Sequence, residues 1–336
     1  MLLSALAACT RAADPVARTV PPVETLTSLA GTAAAPFTIP FFQSSFVFGG
    51  KTYTYRMVGS SPFNAPASVT IPTVIIPVKL RFSNGSVFDP AAATRAIQAS
   101  PIFRTGSYTA GALQYGDALM RSEFWRFVSK RNYHVILGPP VVASTFLADV
   151  SSEDGSIGTS SGIKTAFLTS QYFLDALERQ LLLTYHVSPA SLTIFAVSDM
   201  RVLEPSGGCC YNGFHDSFSV MSASGSATFT TVWGFVSSSA PLQMTHVSHE
   251  IAEWLNDPFY PSLPNVVPRW IHPVTEVCDG DELEVGDPLV GTQFTVNGYT
   301  VQDETFLSWF GHTVPSIGIE GRYDLLGRFT APATVC

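Results

Sequence analysis

The sequence predicts an α+β fold, with a β-rich front part and a back part in which helix and strand patterns mix. Three observations carry this. Short stretches rich in β-branched and aromatic residues recur from Pro36 onward, separated by turn residues. Three longer segments carry apolar residues at helical spacing, and no internal repeat is visible. The composition is 46% hydrophobic and 13% charged, against roughly 25% charged in an average soluble protein. Ala, Ser, Thr, Gly and Pro fill the difference, which excludes a coiled coil, a collagen-like chain and an acidic disordered tail. At 336 residues the chain can bury a full core.

Taken in order, Thr52–Val58 and Val69–Phe82 read as strands, the second ending at the hairpin-type turn Asn84-Gly85. Leu113–Val128 has helical spacing, as does Tyr172–Tyr185, with Ser170 as its expected cap. Between them the Ser/Gly/Asp stretch Ser151–Gly162 reads as a loop. Ser191–Val197 and Ser224–Phe235 are expected strands. Leu242–Asn256 is an expected helix, with Pro241 at its first turn and Pro258 closing it. Beyond it the chain is loop-rich, with one short apolar segment at Thr305–Phe310.

The net charge is −8, and only four of the eighteen basic residues are Lys. No basic cluster could neutralise a phosphate backbone, so nucleic acid is not an expected partner. No apolar run approaches the roughly 18 residues that span a bilayer. At the N-terminus, Leu6-Ala7-Ala8-Cys9 has the form of a lipobox, although Met1–Ala8 is short and lacks positive residues. Residues 1–9 are therefore the expected signal and anchor, and the Pro/Ala/Thr-rich residues 10–35 the expected tether. The only expected membrane contact is a lipid on Cys9, which places the protein outside the cytoplasm as a lipoprotein or secreted chain. Cys209, Cys210, Cys278 and Cys336 then suggest two disulfides, with Cys209 and Cys210 each expected to reach a distant partner. No CxxC pair is present to suggest a structural zinc site of the Cys type.

Two motifs fail on context. Gly158-Thr159-Ser160-Ser161-Gly162 has the letters of a nucleophile elbow without the buried strand that must precede one. Gly50-Lys51-Thr52 resembles the end of a phosphate loop, but Ser45 stands where its first Gly is needed.

The informative segment is His246-Val247-Ser248-His249-Glu250-Ile251-Ala252-Glu253-Trp254-Leu255-Asn256-Asp257-Pro258. At about 100° per residue, His249 and Glu253 stand one turn apart on a helix. His246, Glu250 and Asp257 share that side, and Val247, Ile251, Trp254 and Leu255 occupy the other. Two ligands at i and i+4 can close on one ion, while the residue at i+1 reaches water bound to it. That is the logic of the H-E-x-x-H helix, here with Glu253 in the second ligand position. The acidic run Asp279–Asp287 supplies further candidates. Glu284 and Asp287 are favoured, because Leu283 and Val285 should pack inward and fix their neighbours. The run lacks EF-hand spacing. His215 precedes an expected strand, Ser217–Met221, in a chain order suited to stabilising an oxyanion; a hydrogen-bonded turn His is the alternative. His272 reads as structural, and His134, His186 and His312 as isolated packing or surface residues.

The block His249-Glu250-Ile251-Ala252-Glu253 with Asn256-Asp257-Pro258 resembles the H-E-L-A-E…[TN]-[ND]-P segment of the Exordium (phosphate-induced protein) family and its bacterial relatives. Glu284-Val285-Gly286-Asp287 resembles that family's E-I-[GA]-D segment, and Gly213-Phe214-His215 its C-G-[FY]-H element. Phe294–Gly298 and Phe306–Phe310 resemble its Y-N-V-N-G…F-L-V-Q-W region. The resemblance spans about residues 208–310. One departure is Pro288, which stands where the family's Cys would follow the Asp. The resemblance implies a zincin-like domain of the metalloprotease type, placed over residues 150–336, with the β-rich residues 36–149 packed on it.

The expected function is extracytoplasmic, metal-dependent hydrolysis of peptide bonds. His249 and Glu253 bind the ion, Asp287 or Glu284 completes the set with His246 in reserve, Glu250 is the general base, and His215 stabilises the oxyanion. Zn²⁺ is the default ion, with Mn²⁺ or Ca²⁺ as alternatives for a carboxylate-rich site. The competing expectations are a non-catalytic surface module with a structural metal, and a carbohydrate-binding protein using Trp254, Trp270 or Trp309.

Overall fold

A computed structural model describes residues 37–64, 68–222 and 225–336. The expected signal segment, Cys9 and the tether lie outside the described residues.

The centre is a mixed sheet of five main strands: β1 (Thr73–Phe82), β2 (Phe146–Val150), β3 (Leu192–Ala196), β4 (Gly213–Ser222) and β5 (Gly225–Gly234), in the order β2-β1-β3-β5-β4. The first four in that order run parallel, and β4 returns antiparallel to β5 as the end strand. Strands buried on both faces read as continuous apolar runs, which is why Leu192–Ala196 is legible as a core strand. Side chains alternate between two cores. Ile75, Ile194, Ala196 and Val232 face one, and Ile76, Val78, Phe195 and Trp233 face the other. The first half of β1 pairs with β3 and the second with β2, and Pro77, which cannot donate to a ladder, stands at the changeover.

On the first face lie α1 (Ala91–Ala99), α2 (Tyr115–Glu123) and, after a turn, α4 (Thr245–Asn256). The apolar side of α4, from Val247 through Ile251, Ala252, Trp254 and Leu255, is buried in that core, as its spacing predicts. On the second face a π-helical stretch, Gln171–Leu177, runs into α3 (Glu178–Thr184), and Ser170 makes no side-chain cap. The α+β class therefore stands.

Four expectations are corrected. The boundary at residue 150 divides no structure: β1 and β2 precede it yet belong to the same sheet as β3 to β5. Ser151–Gly162 is not all loop, because Gly155–Ser160 pairs with Ile163–Thr169 as a hairpin whose turn, Ser161-Gly162, takes positive φ. Its polar residues face outward, which hid the strand, and the elbow-like letters fall on this hairpin. His215 lies within β4, opposite Val232 of β5, and not in a preceding turn. Finally, the four cysteines pair as Cys209–Cys210 and Cys278–Cys336. Cys209 and Cys210 are thus partners of each other, joined by a cis peptide bond, and neither pairs with a distant cysteine.

Glu123, the last residue of α2, is fully buried. Its Oε1 accepts a hydrogen bond from the Leu307 amide at 2.6 Å, and Oε2 has no partner. Burial pushes its carboxyl up to about 8 from an ordinary 4.5. The folded state thus holds a proton that the unfolded chain has lost, and this group's contribution to stability falls as pH rises from about 4.5 to 8. Glu123→Gln is expected to match the wild type near pH 4 and to exceed it near pH 8, on the order of a few kcal/mol. Denaturant midpoints at the two pH values check this, and equal differences at both would refute it.

Candidate metal centre

The polar side of α4 meets two other pieces of chain. His249, Glu250 and Glu253 come from the helix, His215 from β4, and Glu284 and Asp287 from the segment that follows. Leu283 and Val285 are fully buried, as their alternation predicts, and their backbones are tied to Asn265 and Thr305. That anchors the residues between and after them.

Glu253 is the shared member. Its Oε1 lies 3.1 Å from His249 Nε2, and its Oε2 lies 3.5 Å from His215 Nδ1. His215 Nδ1 is also 3.5 Å from Glu250 Oε2, and His249 Nε2 is 3.7 Å from Asp287 Oδ1. Two sets of donors draw together within 4.8 Å: His215, Glu253 and Glu284, and His249, Glu250 and Glu253. Metal bonds to N and O ligands of about 2.0–2.2 Å imply ligand–ligand edges of about 3.0–3.5 Å. The two spacings at Glu253 have that size, and each set could hold a metal ion.

Backbone and amide groups hold the donors from behind. Gly286 donates its N–H to Glu253 Oε1 at 3.3 Å. Gln302 Nε2 donates to the Gly286 carbonyl at 2.8 Å and lies 2.8 Å from His249 Nδ1. Gly213 and Gly286 are required by contact, since a Cβ on the first would strike the Glu250 carboxylate and one on the second the His249 ring.

The electrostatics follow from burial. Burial alone would raise Glu253, but His249 and His215 hold it well below the usual carboxylate range. Burial pushes Glu250 and Glu284 up, and the Glu253 charge raises Glu284 further. The two histidines, which burial would lower, are raised well above their ordinary value by these acids. Asp287, with 44% of its side chain exposed, is the open side of the centre and is also raised.

His249, Glu253, Glu250, Glu284 and Asp287 therefore gather as the sequence predicts. His215 sits among the donors themselves. His246 belongs to neither donor set; its ring meets Phe235 edge-on, and burial lowers it to about 4, so it is neutral. Asp279, Asp281 and Glu282 of the acidic run also stay out. Asp257 turns to the Asn265 amide, accepting at 2.9 Å. Gln302 carries no motif signal and is invisible in the sequence. His272 is structural, its Nδ1 accepting from Val274 and Thr275. His134 is not isolated: its Nδ1 is 2.7 Å from Asp117 Oδ2. Trp254, Trp270 and Trp309 are 0%, 1% and 3% exposed, so none forms a sugar platform.

Comparison with known proteins finds no protein-family model, no curated protein and no solved structure that matches the chain.

A metal on His249 Nε2 places the ring proton on Nδ1, where the Gln302 amide, 2.8 Å away, can turn its oxygen to accept it, and outer partners of this kind are worth about 10–100-fold in metal affinity. Gln302→Leu is expected to lower affinity by that factor while His246→Ala changes it far less. Competition with a chelating dye measures both, and a Gln302→Leu protein of unchanged affinity would refute the role.

Proposed function

We propose that this chain is a metal-dependent hydrolase acting on peptide bonds outside the cytoplasm, with a zincin-like arrangement of sheet and helix. The observation that carries this reading is Glu253, buried between two histidines from different elements with Glu250 beside them. The fold lends support through a mixed sheet whose antiparallel end strand brings His215 against the H-E-x-x-E helix. Two cysteine pairs at bonding distance support an oxidising compartment, in keeping with the lipobox at Cys9.

His249, Glu253 and Asp287 would hold the ion, with His215 and Glu284 adjoining. When bound, such an ion polarises a carbonyl and acidifies water. Zn²⁺ remains the first choice, and the carboxylate majority also suits Mn²⁺ or Ca²⁺. Glu250 is 6% exposed and raised by burial, which moves its carboxylate toward the neutral range suited to a base that removes a proton from attacking water. His215, held by Glu250 and Glu253, supplies positive charge for a developing oxyanion. Substrate reaches the centre from the Asp287 side, where exposure is greatest.

One observation favours a second reading, a structural metal in a non-catalytic surface module: Glu250 and Glu253 are almost closed to solvent. Cleavage of a broad peptide library by the metal-loaded full chain separates the two. Glu250→Gln is expected to keep its metal and its melting temperature yet lose about 10²-fold or more in rate. His249→Ala and Glu253→Ala are expected to lose metal and stability together. A metal-loaded wild type that cleaves nothing would decide for the structural module.

A further inference from the structure

Six donor residues are more than one tetrahedral ion uses, and their arrangement around Glu253 is divided. Its two oxygens face two histidines separately, Oε1 toward His249 and Oε2 toward His215. Each histidine has its own additional acid. Asp287 Oδ1 lies 3.7 Å from His249 Nε2 beside the set of His249, Glu250 and Glu253, and Glu284 closes the set of His215 and Glu253. A carboxylate whose oxygens point to different nitrogens has the geometry of a bridge. Hydrolytic centres with two ions hold them about 3.5–4 Å apart, a span such a bridge covers.

Charge leads to the same count. Glu250, Glu253, Glu284 and Asp287 bring four negative charges when ionised, and among the described residues the cations paired with them are histidines alone. With both histidines neutral as ligands, one divalent ion leaves half of that charge unbalanced in a low-dielectric pocket, and two cancel it. His215 adds an independent sign. Its side chain is 3% exposed, and its Nε2 has no hydrogen-bond partner. Nδ1 is the ring atom that faces Glu250 and Glu253, each at 3.5 Å, so a cation held between them would take the place of the proton shared there.

We infer that the centre takes two divalent cations bridged by Glu253, one against His249 and Asp287, the other against His215 and Glu284. This rests on the metal-centre reading proposed above and deepens it, with His215 then a neutral ligand in place of a cationic partner for the oxyanion. Glu250, in one donor set with His249 and Glu253 and 3.5 Å from His215 Nδ1, then stands between the two ions.

The test is stoichiometry. Tag-free full chain is stripped with a chelator, reloaded with Zn²⁺ or Mn²⁺, and analysed by calorimetric titration and elemental analysis. Two equivalents are expected for the wild type, and one each for Glu284→Gln and Asp287→Asn. One equivalent in the wild type would overturn the paired site and leave the proposed hydrolase intact; none would overturn both. If the variants fail to fold, the wild type still decides by electron paramagnetic resonance with Mn²⁺. A spin-coupled spectrum at saturation supports the pair, and an isolated six-line spectrum overturns it.

Discussion

The ionised carboxylate of Glu253 is the constraint on which the centre depends. A buried carboxylate is costly unless partners replace its water, and Glu253 is 4% exposed. Its partners come from three places: His249 one turn earlier on the helix, His215 on the end strand, and the Gly286 amide from the following segment. None suffices alone. The helix must therefore press on the end of the sheet, and the segment must return over the helix, for the charge to be tolerated. Gly213 and Gly286 lie at those two approaches, where a side chain would enter the space of Glu250 or His249.

The helix half of this arrangement was legible in the sequence, because an i, i+4 pair and an opposing apolar stripe specify a face directly. The acidic segment was legible for a similar reason: alternation of Leu283 and Val285 with polar residues anchors Glu284 and Asp287. What the pattern could not reveal is register. His215 enters the donor set because β4 pairs antiparallel with β5 and places it opposite Val232, and a pairing between segments leaves no periodic trace. Gln302 is the same case, brought to His249 by a short hairpin far along the chain. The Cys209–Cys210 pair escaped for another reason, since no spacing pattern marks a bridge between neighbouring residues.

Other buried acids in the molecule show how this chain neutralises a carboxylate when no ion is involved. Asp324 accepts hydrogen bonds from the amides of Leu326, Arg328 and Phe329 at 3.0, 2.8 and 2.6 Å. Asp117 takes the Val135 amide at 3.0 Å and the His134 ring. Glu304 accepts from the Tyr115 hydroxyl at 2.7 Å. In each case the donor is a fixed dipole or a single ring, and the acid serves to hold loops and strands in place.

The acids of the centre are supplied differently. Among the described residues no backbone amide donates to Glu250 or Glu284, and Glu253 receives only the long contact from Gly286. Instead these carboxylates face one another and two imidazoles, all of which are Lewis bases in their neutral or ionised forms. A fold able to provide three amides to Asp324 has left the centre without them. Under the metal reading proposed above, carboxylates arranged in that way would repel when ionised, and that repulsion would lead the site to favour a multivalent ion. Its selectivity should then follow charge and size before softness. Four carboxylates and two imidazoles favour a hard or borderline divalent ion, and no thiolate is present to favour a soft one. The disulfides contribute by default, since Cys209, Cys210, Cys278 and Cys336 are paired and withdrawn from ligation.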